Sequence, residues 1–207
     1  NFIRPGNKGR TFRPENAKQA IGHIRKVSIN NVTAVSAGRA GGEITGLPEH
    51  MIEEVSLSNI HITYHGGGRG PGWGLSKMPV KENPEAYPEI LWTHAWVPSY
   101  GLFTRHVKGL RLSNVTMNTE TNDPRSAMIF QDIEDLRLEG VSAQAAPGSD
   151  ATFWFDRVRG ALVRGCVAMP NTGVFARLDG ACEDFAFLAN DLRQAAKVFE
   201  FVRGASS

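Results

Sequence analysis

A short phrase in which apolar and polar positions alternate recurs along the chain. Its first and third residues are apolar in every copy, while its second and fourth are polar in most copies. Such alternation is typical of a β-strand with one buried face and one face turned to solvent. The copies predict strands near residues 27–32, 55–60, 110–115, 136–141, 161–166 and 185–188.

The copies recur at a nearly constant interval of about 25 residues, except that the interval from residue 55 to residue 110 is about twice as long. Their fifth residue is Asn, Gly or Ala, which suits a tight corner, and stacked Asn side chains can hydrogen-bond between layers. The pattern predicts an all-β fold, a parallel β-solenoid of about six coils, forming one domain over residues 1–207. The side chains expected to point inward are Val27, Ile29, Val55, Leu57, Leu110, Leu112, Leu136 and Leu138.

A second strand is predicted before most of these phrases, at residues 102–105, 128–131, 153–156, 174–177 and 198–201. Its copies are apolar on both faces, although a solenoid has only one interior. We therefore expect a loop, the C-terminal tail or another subunit to cover the outer stripe, and the last alternative would make the protein a homo-oligomer. The outer stripe consists of Phe103, Ile129, Trp154, Phe175 and Phe199.

The long interval predicts an insertion near residues 65–100 that is rich in Gly and Pro. It contains three of the four tryptophans of the chain, Trp73, Trp92 and Trp96. Their flat aromatic faces suit the apolar C–H faces of sugar rings, and long loops on rigid scaffolds often carry function. The alternative is that these rings only attach the loop to the solenoid.

Charge is unevenly distributed, although the net charge is only +2. Basic residues are concentrated in the first 26 residues, among them Arg4, Lys8 and Arg10. A basic segment can attract a polyanion, and the alternative is a solvated basic loop. The first coil exposes an unpaired strand edge, so we expect self-association unless residues 7–22 cover it.

The cysteines and the lengths of the apolar runs further limit which class of protein this chain can belong to. Cys166 and Cys182 are too few for a disulfide framework and too far apart around the coil for a bridge, so two free thiols are expected. The chain has no apolar run of membrane-spanning length and no signal peptide at its first residues. We expect no cofactor, no metal site, no nucleic-acid partner and no membrane association.

Two stretches of the chain resemble the C-terminal part of bacterial polygalacturonase-like proteins, glycoside hydrolase family 28. They are "ITGLPEHMIEEVSLSNIHITYHGGG" and "VPSYGLFTRHVKGLRLSNVTMNTETNDPRSAMIFQDIEDLRLEGVSAQ", and the resemblance covers about residues 1–145. It implies a right-handed parallel β-helix in a secreted or periplasmic enzyme that needs no metal. It also implies hydrolysis of O-glycosyl bonds in pectic, galacturonan-type polysaccharide with inversion.

The catalytic motifs of that family are absent from this chain. Gly22-His23 lacks the second Gly of the Gly-His-Gly motif, and Phe2-Ile3-Arg4 is a diverged match to the Arg-Ile-Lys strand. An inverting hydrolase needs two carboxyl groups about 6.5–9.5 Å apart. The polar column expected after the outer stripe, Arg105, Gln131, Asp156 and Arg177, is predicted to be a charge ladder without an acid pair.

The sequence therefore predicts the C-terminal coils of a pectin-directed hydrolase that are inactive alone, with no catalytic residue in this chain. The alternatives are a non-catalytic, carbohydrate-binding or adhesin-like β-helix module and a polysaccharide lyase. The expected partner is an acidic, pectic polysaccharide. The residues expected to bind it are Arg4, Lys8, Arg10, Trp73, Trp92 and Trp96.

Overall fold

The computed structural model describes residues 2–3, 22–68, 80, 97–202 and 204, and within them the regular structure is entirely β. No described segment is a helix that could span a bilayer. The strands are β1 (Phe2–Ile3), β2 (Arg25–Ala37), β3 (Gly42–Thr45), β4 (Ile52–Gly66), β5 (Ser99–Thr121), β6 (Ser126–Ala143), β7 (Phe153–Arg164), β8 (Val167–Ala168), β9 (Thr172–Asp179), β10 (Glu183–Leu188) and β11 (Ala195–Val202).

The strands pair in parallel and stack as the coils of a β-solenoid, which confirms the predicted fold. Val55 pairs directly with Leu110, so the long interval is one coil with an insertion and not two coils. The six predicted phrases form one column of register partners, Val27, Val55, Leu110, Leu136, Ala161 and Phe185.

The interior of the solenoid is apolar, and the predicted inward positions line it. From the second coil onward these side chains are buried, and Leu110, Leu136 and Leu138 are fully enclosed. Ile29 is the exception, because 39% of its surface is exposed although it is in register with Leu57. Its strand, β2, lies at the end of the described stack and pairs only with β4, so no described coil covers it from the other side.

The corners of the coils are built from residues in the left-handed region of backbone space. One corner carries the fifth residues of the predicted phrases, with φ between 51° and 61°. Asn tolerates this region better than other side chains, and Gly adopts it freely. Asn59 donates to Asn31 at 3.0 Å and Asn114 donates to Asn59 at 2.9 Å, so the predicted Asn stacking is present. The six residues are Asn31, Asn59, Asn114, Gly140, Gly165 and Ala189.

All five predicted second strands are present, but their alignment was predicted correctly in three copies and wrongly in two. Leu102, Met128 and Phe153 are register partners as expected. The next partners of Phe153 are Ala176 and Phe199, whereas the sequence pattern predicted Val174 and Val198. Because both faces of this strand are apolar, alternation alone could not fix the register. Phe175 and Phe199 consequently pack in the interior, not on the outer stripe.

The rest of the predicted outer stripe is buried by the chain itself. Phe103, Ile129 and Trp154 form a second apolar cluster, with 5% or less of each residue exposed. Val80 and Val97, which both belong to the insertion, pack on this cluster together with Ala40. The hypothesis that the insertion covers the stripe is therefore confirmed for these three residues, and an additional subunit is not required to bury them.

Candidate functional site

Both ends of the insertion are held by one buried ion pair. Asp123 accepts two hydrogen bonds from the guanidinium of Arg125, at 2.9 and 2.7 Å, and one from the Gly68 backbone N–H at 2.9 Å. Arg125 also donates to the carbonyls of Val97, Ser99 and Arg39. Burial alone would raise the pKa of Asp123, but these hydrogen bonds and the charge of Arg125 outweigh it and lower the pKa.

The six residues that the sequence predicts to bind polysaccharide lie outside the described residues. They are Arg4, Lys8, Arg10, Trp73, Trp92 and Trp96. The described part of the chain contains one tryptophan, Trp154, and its ring is occupied. The guanidinium of Arg177 lies 4.4 Å from the centre of one ring of Trp154. Only 5% of the surface of Trp154 is exposed. Trp154 therefore offers no open face to a sugar.

The outer face of the strands that carry the repeated phrase is an open polar surface. The second residues of the six phrases form one column across this face, and the fourth residues form another. Neighbouring strands lie about 4.8 Å apart, so the columns place side chains at regular short intervals. The second-residue column reads Ser28, Ser56, Arg111, Arg137, Leu162 and Ala186.

Two arginines are direct neighbours in this column, Arg111 on β5 and Arg137 on β6. Arg111 is exposed and, among the described residues, makes no ion pair. Arg137 lies 3.5 Å from Asp135, and 44% of its side chain is exposed. Other cations on or beside this face have closer acidic partners: Lys108 pairs with Glu134 at 3.1 Å and Arg164 pairs with Glu139 at 2.5 Å. We call Arg111 and Arg137 the arginine pair.

The arginine pair is suited to binding a carboxylate. Like charges directly opposite each other on neighbouring strands destabilise a sheet, so an anion between them would relieve a repulsion. The guanidinium group also presents a planar set of donors that matches a carboxylate. Sequence reasoning treated these positions only as the polar side of a strand. The signal was present, because Arg is the second residue in both "LRLSNV" and "LRLEGV".

The polar column after the outer stripe differs from the prediction. Because of the register shift, Asp179 and not Arg177 follows Asp156, so two carboxylates are direct neighbours. The prediction of a column without an acid pair is therefore wrong. Both residues are buried, Asp156 to 7% and Asp179 to 1% exposure, and Asp156 already accepts from Gln131 at 2.7 Å. The adjacent cavity has a volume of about 30 Å³, which is too small for a sugar ring.

Two histidines of the described part of the chain, His65 and His106, contact carboxylates. Ser36 and His65 both bind the carboxylate of Glu120, at 2.6 and 2.9 Å, and these hydrogen bonds lower the pKa of Glu120. The carboxylate thus lies between the hydroxyl and the ring, whereas nucleophilic catalysis needs the His next to the Ser. His106 is buried and contacts Asp132 through Nδ1.

The described residues include two free cysteines and no group of side chains suited to hold a metal ion. Cys166 and Cys182 are free, as predicted. Burial raises the pKa of Cys166 to about 11, so the thiol stays protonated near neutral pH. Among the described residues, no group of three His, Cys, Asp or Glu side chains is close enough to hold a metal ion.

Comparison of the chain with models of protein families, with curated proteins and with solved structures found no match in any of the three.

Proposed function

We propose that this chain forms the C-terminal coils of a polygalacturonase-like glycoside hydrolase and supplies part of its binding surface for acidic, pectic polysaccharide. In this proposal the full-length enzyme is secreted or periplasmic and hydrolyses galacturonan-type O-glycosyl bonds with inversion. The chain by itself binds the polymer without cleaving it. The resemblance in sequence supports the substrate class, and the missing catalytic motifs support the lack of turnover.

The observation that carries the proposal is the arginine pair. Arg111 and Arg137 present two adjacent cations on the outer face of the sheet. A uronate polymer carries a carboxylate on every sugar, so it can place an anion between the two guanidinium groups while the chain of sugars follows the sheet. Surface attraction of this kind is weakened by salt, because screening acts over about 8–10 Å at physiological ionic strength.

The test compares a charged polymer with the same polymer after its carboxylates are converted to neutral methyl esters. The full chain is titrated with polygalacturonate and with its methyl-esterified form, at low and high salt, and reducing ends are measured in the same samples. We expect binding to polygalacturonate that weakens about tenfold in high salt, much weaker binding to the ester, and no release of reducing ends. Equal binding of both polymers would refute the charge-based site. Release of reducing ends would refute the claim that these coils are inactive alone.

A further inference from the structure

The two ends of the described solenoid are open strand edges. At one end β2 pairs only with β4, and at the other β10 pairs only with β7. β2 is 13 residues long and β10 is 6 residues long. Edge strands present unpaired N–H and C=O groups that can pair with another chain.

Exposed apolar side chains are concentrated at these two ends. Among the described residues, five large hydrophobic side chains are exposed, and four of them lie on terminal strands. Ile29 (39%) and Val35 (77%) lie on β2, while Leu188 (52%) lies on β10 and Phe201 (43%) on β11. A cavity of about 230 Å³ also lies at the β2 end, lined by apolar side chains that include Ile29 and Leu57. Both ends therefore carry exposed apolar surface, and its burial against another chain would be favourable.

Charged residues at one corner alternate in sign from the first coil to the last. Register pairs join each residue of this column to a neighbour of opposite charge, and two of the contacts are ion pairs at 3.1 and 3.5 Å. The column starts with a cation at the β2 end and finishes with an anion at the β10 end. It reads Arg25, Glu53, Lys108, Glu134, Arg159 and Glu183.

The neighbouring position at the same corner repeats this polarity. Lys26 follows Arg25 at the β2 end, and Asp184 follows Glu183 at the β10 end. Both residues have a left-handed backbone conformation, with φ of 58° and 57°. The β2 end therefore carries two cations, and the β10 end carries two anions at the equivalent positions. The charges of one end complement those of the other.

From these observations we infer that copies of this chain associate head to tail, with β10 of one copy pairing with β2 of the next. Glu183 and Asp184 then face the next copy's Arg25 and Lys26, which continues the alternation. The inward column continues as well, because Phe187 comes into line with Ile29 and buries it. A contact between two β2 edges would instead oppose like charges. Head-to-tail contacts are heterologous, and because each copy continues the stack along its own axis they do not close into a ring, so association grows with concentration into open chains.

This inference concerns the β2 edge of this chain on its own, the edge that preceding coils would occupy in the full-length enzyme of the proposed function, and sedimentation velocity of the 207-residue chain tests it with charge-reversal variants. One variant combines Glu183→Lys with Asp184→Lys, and a second combines Arg25→Glu with Lys26→Glu. Each variant alone has like charges on its two ends, whereas each end of one complements the opposite end of the other. We expect wild type to associate, each variant to dissociate about tenfold more readily, and an equimolar mixture to associate again.

The matched control combines Glu134→Lys with Asp135→Lys, which makes the same change of charge at the same corner in the middle of the stack. Circular dichroism of every variant checks that the β fold is kept. We expect the control to associate as wild type does. Wild type that stays monomeric at all concentrations, a mixture that does not reassociate, or a control that is weakened equally would overturn the inference.

Discussion

At the scale of single residues, the fold depends on which side chains hold the left-handed corners. The Asn column supports the corner in two ways. Asn tolerates the left-handed backbone conformation, and its side-chain amide forms a hydrogen bond with the neighbouring coil. Further along the same corner Gly140 and Gly165 adopt the conformation without making the hydrogen bond, and Ala189 adopts it with φ of 51°. In the last coil Asn190, which follows Ala189, makes the hydrogen bonds to the preceding coil instead.

The Asn column can be tested by removing one member and adding another. Asn59→Gly keeps the backbone conformation but removes both inter-coil hydrogen bonds, so we expect the free energy of unfolding to fall by about 1 kcal/mol. Gly140→Asn should raise it, because a Cβ there would lie 3.9 Å from the nearest atom, the Asn114 backbone N, and could extend the column. Urea denaturation measures both. If Asn59→Gly leaves stability unchanged, the column is a by-product of the corner and does not stabilise it.

At the scale of elements, two identical local motifs have different roles because of where they lie. Asp123 with Arg125 and Asp191 with Arg193 both form the same two side-chain hydrogen bonds, at 2.9 and 2.7 Å. Arg193 is exposed on the surface, and the first pair is buried and ties the insertion to the stack. Hydrogen bonds with Arg193 lower the pKa of Asp191 to about 2, and its exposed position limits what the pair adds to stability.

The buried pair should make stability depend on pH. The pKa of Asp123 is lowered in the folded state, so its ionisation stabilises the protein above the unfolded pKa of about 4 and ceases to do so as pH falls through the lower, folded pKa. We expect Asp123→Asn to lose about 3 kcal/mol at pH 7 and less as the pH falls below about 4. Urea denaturation across this range measures the difference, and Asp191→Asn, whose exposed ion pair should lose much less over the same range, serves as the comparison. A loss that does not change with pH would contradict the account.

The sequence predicted the elements well where polarity differs between the two faces of a strand. The phrase strands alternate cleanly, so their register and inward residues could be predicted. The second strands could not be aligned beyond Phe153, because apolar residues on both faces fit more than one register. That ambiguity concealed the neighbouring Asp156 and Asp179. The arginine pair was missed for another reason, since the predicted register already aligned Arg111 with Arg137 but both were treated only as the polar side of a strand.

At the scale of the whole molecule, stacking of the coils places residues that are one repeat apart in the sequence next to each other in columns on the surface. Arg111 and Arg137 are far apart in the chain but adjacent on the exposed face, and Arg25 and Glu183 occupy opposite ends of one charged column. The face and the ends thus have separate roles in this account, the face in binding an acidic polymer and the ends in contacts between copies. Variants at one should leave the other unaffected.

We propose that Arg111 and Arg137 act together on one acidic ligand, and a double-mutant cycle is the direct test. Affinity for a short oligogalacturonate is measured for wild type, Arg111→Gln, Arg137→Gln and the double variant, with Arg193→Gln as an exposed control. We expect each single variant to bind about tenfold more weakly and the double variant to be little worse than either, since both arginines hold the same carboxylate. Wild-type affinity in both single variants, or losses that simply add in the double variant, would contradict the claim.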